Sequence, residues 1–262
     1  MKNKKSLGQN WLKDRYTLET IADLACDMPE QSLEKNVKLC VEIGPGLGTL
    51  TSSLLRRFDK VLAVEFDKQL ATNLPKSFPG KNLEVVNSDF LKFDLENINE
   101  PYVVAGNIPY YITTPIIEKI LIAHNHPEKV VLLVQKEVAE KISSKESGLN
   151  NSSLSLFVNN FAQTHLGPIV AKDLFTPAPK VDSQVLILVP YEKPITDTNI
   201  LEFIHKSFMN PRKKLSTNLA QFTGLSKTDI EALFDQLNFD KNIRPADLEL
   251  QDYVMLAKSI KK

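Results

Sequence analysis

Three of the nine glycines in this 262-residue chain fall within five positions, Gly44-Pro45-Gly46-Leu47-Gly48, directly behind the apolar run Leu39–Ile43. Glycines spaced so closely let a backbone take positive φ angles and approach a ligand without a side chain in the way. The segment therefore reads as strand, tight turn and then a helix from near Thr49. Further β-rich runs follow at Val61–Glu65, Leu83–Asn87, Tyr102–Ala105, Val130–Val134 and Val185–Val189. Helical patterns at Leu50–Phe58, Lys68–Phe78, Thr114–Ile122 and Glu137–Ser143 separate them. Most of the runs are continuously apolar rather than alternating, as when helices cover both faces of a sheet. This order predicts a largely parallel, doubly wound α/β sheet, with ligands held at the carboxyl ends of strands where strand order reverses.

The pattern changes after Pro190. Tyr191–Pro194 reads as a linker, and helical periodicity then recurs at Ile200–Met209, Leu215–Phe222, Lys227–Leu237 and Leu250–Ile260, with a loop over Asn238–Pro245. Two domains are expected: residues 1–190, opening on a basic arm, and a small helical domain over residues 191–262. The length suits this, at about 150 residues per domain. Basic and acidic residues number 32 each, which argues against a generic polyanion binder but permits a local basic patch. The only cysteines are Cys26 and Cys40, read as reduced thiols and small apolar residues. No apolar run approaches the roughly 18 residues of a membrane span, and none follows the basic N-terminus as in a secretory signal. A soluble, cytoplasmic protein is the expectation.

The glycine loop does not match the dinucleotide fingerprint, because Thr49 stands where its third glycine belongs, nor the phosphate loop, which needs Gly-Lys-Ser/Thr. The spacing Glu42-x-Gly44-x-Gly46-x-Gly48 is instead the motif of S-adenosylmethionine-dependent methyltransferases, with Gly44 and Gly46 approaching the ligand; taken alone, the loop leaves another nucleotide cofactor or a plain turn open. Two carboxylates agree with it. Glu65 ends the second run, 21 residues after Gly44, where it could accept both hydroxyls of a ribose. Asp89 ends the third and could accept from an adenine amino group; a helix cap is the plainer use of either acid.

The fourth run leads into Gly106-Asn107-Ile108-Pro109-Tyr110-Tyr111. An exocyclic amine is a poor nucleophile because its lone pair is delocalised into the base. The Asn107 side-chain oxygen and the Ile108 carbonyl could accept its two N–H bonds and favour tetrahedral character as a methyl arrives. Pro109 would hold that carbonyl, and Tyr110 offers a flat face to the base. A plain Pro-Tyr turn closing a strand is the bland alternative.

Taken together these residues resemble the ribosomal RNA adenine N6,N6-dimethyltransferases, within them the bacterial small-subunit (16S) branch. Leu7–Leu12, Val41–Gly48, Val64–Asp67, Asp89, Gly106–Pro115, Leu133–Val138, Phe175–Ser183, Arg212–Lys214 and Asn218-Leu219 carry the resemblance almost from end to end. Asn-Ile-Pro-Tyr with Phe-Thr-Pro-x-Pro-Lys-Val-Asp-Ser is its specific part. The resemblance implies a Rossmann-like class I methyltransferase sheet and dimethylation of two adjacent adenosines in the 3′-terminal hairpin loop of small-subunit rRNA. It implies S-adenosylmethionine at Asn10, Leu12, Gly44, Glu65, Asp89 and Asn107, without a metal. Asn107, Pro109 and Tyr110 would form the catalytic segment, with Phe175 sandwiching the flipped adenine opposite Tyr110. Trp11 replaces the usual Phe, Tyr111 stands where a smaller polar residue is common, Gly148–Leu154 lacks an arginine often found there, and Pro211 interrupts a normally basic stretch.

Lys206, Arg212, Lys213 and Lys214 lie in a window free of acids from Phe203 to Leu219, read equally as a solvated face or as rRNA phosphate contacts. Lys2, Lys4, Lys5, Lys13 and Arg15 could extend that surface. His124-Asn125-His126 has too few companions for a metal site. The expected partner is the small ribosomal subunit, bound by a monomer. Two other readings stand beside this one: a large-subunit rRNA adenine-N6 resistance methyltransferase, and a ribosome-assembly checkpoint factor for which methylation is secondary.

Overall fold

A continuously apolar strand has to be covered on both faces, and the computed structural model, which describes residues 9–28, 36–147 and 150–260, places these runs inside a seven-stranded sheet. The side chains of Glu146 and Ser147 are not described. The N-terminal lysines Lys2, Lys4 and Lys5, with Leu7, Gly8, Gly148 and Leu149, also lie outside the described residues.

The strands are β1 (Trp11–Leu12), β2 (Leu39–Ile43), β3 (Lys60–Glu65), β4 (Leu83–Asn87), β5 (Tyr102–Asn107), β6 (Lys129–Gln135), β7 (Ala162–Val170), β8 (Phe175–Thr176) and β9 (Ser183–Pro190). The helices are α1 (Arg15–Cys26), α2 (Thr49–Leu54), α3 (Lys68–Asn73), α4 (Thr113–Ile122), α5 (Lys136–Ile142), α6 (Ser144–Ser147), α7 (Ser153–Phe161), α8 (Thr198–Ser207), α9 (Leu215–Leu219), α10 (Lys227–Gln236) and α11 (Leu250–Ile260). Strand order is β4-β3-β2-β5-β6-β9-β7. β2 pairs in parallel with both β3 and β5, while β9 runs antiparallel to β6. Order therefore reverses at β2, so the carboxyl ends of β2, β3, β4 and β5 share one edge.

The inner strands are almost wholly buried, whereas β4, at one edge, is half exposed. β7 at the other edge was not expected. It contains Gly167 and Pro168 and is mostly part-exposed, the composition an edge strand tolerates and an inner strand does not. A second two-stranded pair joins β1 to β8, antiparallel, with Leu12 opposite Phe175.

The described residues divide into two compact units: Met1–Ala139 with Gln163–Pro190, and Glu140–Ala162 with Tyr191–Lys262. This corrects the expected single boundary at residue 190, since residues 140–162 belong with the C-terminal helices. The reason is tertiary. Leu156 on α7 is buried in the second core with Ile204, Leu219, Phe234 and Tyr253, and Asn151 Nδ2 donates to the Leu248 carbonyl at 2.9 Å. The core of the first unit includes Leu18, Ile21 and Ala25 of α1, Cys40 and Val103, all buried. α1 was also unexpected, although Asp14 caps it by accepting from the Thr17 N–H at 2.8 Å. No helix among the described residues is long and apolar enough to cross a membrane.

Candidate functional site

The glycine loop follows β2 at the switch in strand order and opens a cavity of about 310 Å³ within the first unit, a volume in the range of small-molecule sites. Two glycines are required by the packing. Gly46 has φ +58°, and a Cβ there would stand 3.2 Å from the Trp11 indole nitrogen. Gly106 lets β5 lie against β2, because its Cβ would come within 2.9 Å of the Ile43 carbonyl.

Glu65 ends β3 beside this loop and is 5% exposed. Its Oε2 accepts from the Gly46 N–H at 3.0 Å and its Oε1 from the Asp67 N–H at 2.7 Å. Burial pushes its carboxyl above the ordinary range, and these two N–H donors pull part of the way back. Both oxygens keep lone pairs for further donors. Asp89 follows β4, lines the cavity and accepts from the Leu91 N–H at 3.0 Å. The cavity wall also holds Asn10, Leu12, Gly44 and Gly46, so the sequence-predicted cofactor residues come together in one place.

Asn107, Ile108, Pro109 and Tyr110 line the same cavity. Asn107 Nδ2 donates to the Asn10 carbonyl at 2.9 Å across 97 residues of chain. With the amide nitrogen committed, Oδ1 is the atom left to accept from a ligand. Tyr110 begins a short 3-10 turn, Tyr110–Ile112, and its hydroxyl lies 2.7 Å from Ser183 Oγ.

Phe175 does not join them. The β1–β8 pairing sets it opposite Leu12, and its ring is buried in the core of the first unit, 4% exposed, with no part in the cavity wall. Of the two aromatics expected to flank the adenine, Tyr110 lines the cavity and Phe175 does not. Sequence reasoning also passed over Glu42, Phe66 and Tyr111, all in the wall. Phe66 and Tyr111 are exposed aromatics, 61% and 65%. Glu42 heads the glycine motif, which was its signal; it is 1% exposed and its Oε2 has no hydrogen-bond partner.

The basic window lies in the second unit. Lys206 is already paired: its Nζ lies 2.7 Å from Glu202 Oε1, one residue outside the acid-free window and one helical turn away, and 5.9 Å from the Phe222 ring centre. Lys214 Nζ donates to Asn242 Oδ1 at 2.6 Å. Arg212 and Lys213 are exposed and have no ion-pair partner among the described residues. Among those residues no three His, Cys, Asp or Glu side chains gather as a metal cluster.

Comparison with known proteins agrees with this geometry. The family model described as Ribosomal RNA adenine dimethylase matches residues 1–262. The chain is 37% identical over 270 residues to the Ribosomal RNA small subunit methyltransferase A of Lactococcus lactis, covering 98% of this chain and 90% of that one. It is 35% identical over 265 residues to the protein of the same name from Mycoplasma capricolum, covering 98% and 97%. Among solved structures, the 23S rRNA methyltransferase ErmE superposes with TM-score 0.74 at 27% identity, covering 96% of this chain and all of that one. A dimethyladenosine transferase from Plasmodium falciparum superposes with TM-score 0.77 at 24% identity, covering 95% and 97%, and speaks for the fold alone.

Proposed function

The chain belongs to the ribosomal RNA adenine dimethylase family, and from that premise we propose that it transfers methyl groups from S-adenosylmethionine to N6 of two adjacent adenosines in the 3′-terminal hairpin loop of small-subunit (16S) rRNA. In this reading it works in the cytoplasm as a monomer on the small ribosomal subunit. The single observation that carries the chemistry is the fixed Asn107 amide, its nitrogen bonded to the Asn10 carbonyl and its oxygen left as an acceptor.

The cavity residues fit the cofactor. Glu65 holds two oxygens for ribose hydroxyls, Asp89 offers an acceptor to the adenine amine, and the orphaned, buried Oε2 of Glu42 suits the cofactor's ammonium group. Asn10, Leu12, Gly44 and Gly46 complete the wall. When bound, S-adenosylmethionine supplies an electrophilic methyl group and needs no covalent enzyme intermediate.

The protein's own part is positioning. Tyr110 offers its ring to the extruded adenine, and a hairpin-loop base leaves its stack at lower cost than a paired one. Asn107 Oδ1 and the Ile108 carbonyl accept the two N–H bonds, which directs the nitrogen lone pair outward and strengthens as that nitrogen becomes tetrahedral. Pro109 fixes the carbonyl's direction. The second unit, with Arg212 and Lys213, serves RNA binding by counterion release.

The test is methyl transfer from labelled cofactor to unmethylated small subunits, followed by mapping of the modified nucleotides. Two adjacent dimethyladenosines in the terminal hairpin are expected. Asn107→Ala should lower turnover by about 100-fold, the order expected for a lost transition-state hydrogen bond, and leave subunit binding intact because phosphate contacts dominate it. A variant with near wild-type turnover would remove Asn107 from the chemistry. The similarity to ErmE favours the large-subunit reading only at 27% identity, and methylation of large-subunit rRNA in the same assay would establish it.

A further inference from the structure

Tyr110 stands on a one-turn element held by two backbone bonds, Ile112 N–H to the Pro109 carbonyl at 3.2 Å and Thr113 N–H to the Tyr110 carbonyl, which fix its backbone and not its side chain. It is only part-buried, so neither the turn nor close packing fixes its ring. What reaches it is Ser183, the last residue of the Phe175–Ser183 motif and the first residue of β9. Because β9 is antiparallel to β6, its amino end lies at the same sheet edge as the carboxyl ends of β5 and β6. A phenol placed just past β5 can therefore span β6 and meet β9, and the two hydroxyls stand 2.7 Å apart.

Ser183 is itself immobile. It is fully buried and paired opposite Gln135. The preceding Asp182 accepts from the Lys136 N–H through its carbonyl and from the Lys172 N–H through Oδ1, each at 3.0 Å. A swing of the Tyr110 ring would leave a fully buried hydroxyl without its partner, which interiors strongly resist.

We propose that Ser183 is a positioning residue for methyl transfer, its hydroxyl bonded to the Tyr110 phenol so that the ring is held at the angle against which the target adenine lies. This rests on the reading of Tyr110 as the platform for that base. The catalytic segment is then fixed at both ends, Asn107 by Asn10 and Tyr110 by Ser183.

The experiment is a double-mutant cycle of Ser183→Ala and Tyr110→Phe in the full-length enzyme. Single-turnover methyl transfer to unmethylated small subunits is measured, together with cofactor affinity from the fluorescence of the lone tryptophan, Trp11. Each single variant should slow transfer by about tenfold, well inside what small misplacements cost, with cofactor affinity unchanged. The double variant should be no slower than the slower single one, since both changes remove one bond. In enzyme carrying 13C-labelled tyrosine, the Tyr110 Cζ resonance, assigned by its loss in Tyr110→Phe, should move in Ser183→Ala. Wild-type transfer by Ser183→Ala, losses that multiply in the double variant, or an unmoved resonance would each overturn the proposal. Tyr110→Phe removes the same bond without touching the strand, which keeps the test decisive if Ser183→Ala folds poorly. An inactive wild-type enzyme whose resonance still moves would count against the functional reading and leave the bond established.

Discussion

Two buried carboxyls in one cavity wall make that wall sensitive to pH. Burial pushes Glu42 up to about 8, with Thr51 beside it offsetting part of the shift and Glu65 adding to it. A carboxyl raised in the folded state binds its proton more tightly there than in the unfolded chain. Its contribution to stability is therefore full below the unfolded value of about 4.5 and is lost as pH rises toward about 8. Glu42→Gln keeps the neutral shape and removes that loss. The variant should gain on wild type between pH 5 and 8.5 in thermal melts of cofactor-free protein, by an amount on the order of a few kcal/mol at the upper end; parallel melting curves would show that Glu42 does not titrate there. Glu65→Ala should weaken S-adenosylmethionine binding by roughly 1.5–3 kcal/mol, the range for hydrogen bonds to a charged group, with the fold intact; calorimetry at fixed pH reads this directly, and unchanged affinity would take Glu65 out of the site. Glu65, Asp89 and Asn107 were legible in the sequence because each ends an apolar run or stands two residues past its end. The burial of Phe175 was not, because it follows from a two-residue pairing with Leu12, more than 160 positions away.

Elements that repeat the apolar rhythm were readable to within a few residues, and those that break it were not. β7 hid behind Gly167 and Pro168, which an edge strand accommodates. α1 was missed, although Leu18, Ile21, Ala22 and Ala25 bury one face of it at helical spacing. Asp14→Ala should remove its cap at a cost of about 1 kcal/mol, seen as a lower midpoint in denaturant with unchanged cofactor affinity per folded molecule. The stretch around α8 and α9 shows the opposite problem, a pattern that was visible but uneven in meaning. Lys206 spends its charge on Glu202, whereas Arg212 and Lys213 do not share it with any acid among the described residues. The Arg212→Ala, Lys213→Ala double variant should therefore weaken small-subunit binding and flatten its log–log salt dependence by roughly one unit or less per lost contact, while Lys206→Ala changes both much less. Equal effects from the two would mean that the ion pair opens on binding.

At the scale of the molecule, the break at residue 190 could be read because the pattern of the chain changes there, but the allegiance of residues 140–162 could not. Which core receives α7 depends on Leu156 sharing a buried cluster with Phe234 and Tyr253, and no local pattern encodes that. A net charge of zero is compatible with RNA binding, since affinity for a polyanion depends on local charge rather than on the total. The first unit is likewise closed by pieces far apart in sequence. Asn107 waits for nothing after it to meet Asn10, but β1 pairs only with β8, and Tyr110 finds its partner only at Ser183. A ribosome adds about 5–20 residues per second, so seconds pass between synthesis of the Asn-Ile-Pro-Tyr segment and synthesis of the strand that braces it. A nascent chain in that interval carries the proposed catalytic residues without their bracing. For an enzyme whose substrate is ribosomal RNA, this ordering keeps the site unfinished while the chain is still short and tethered to the particle that is making it.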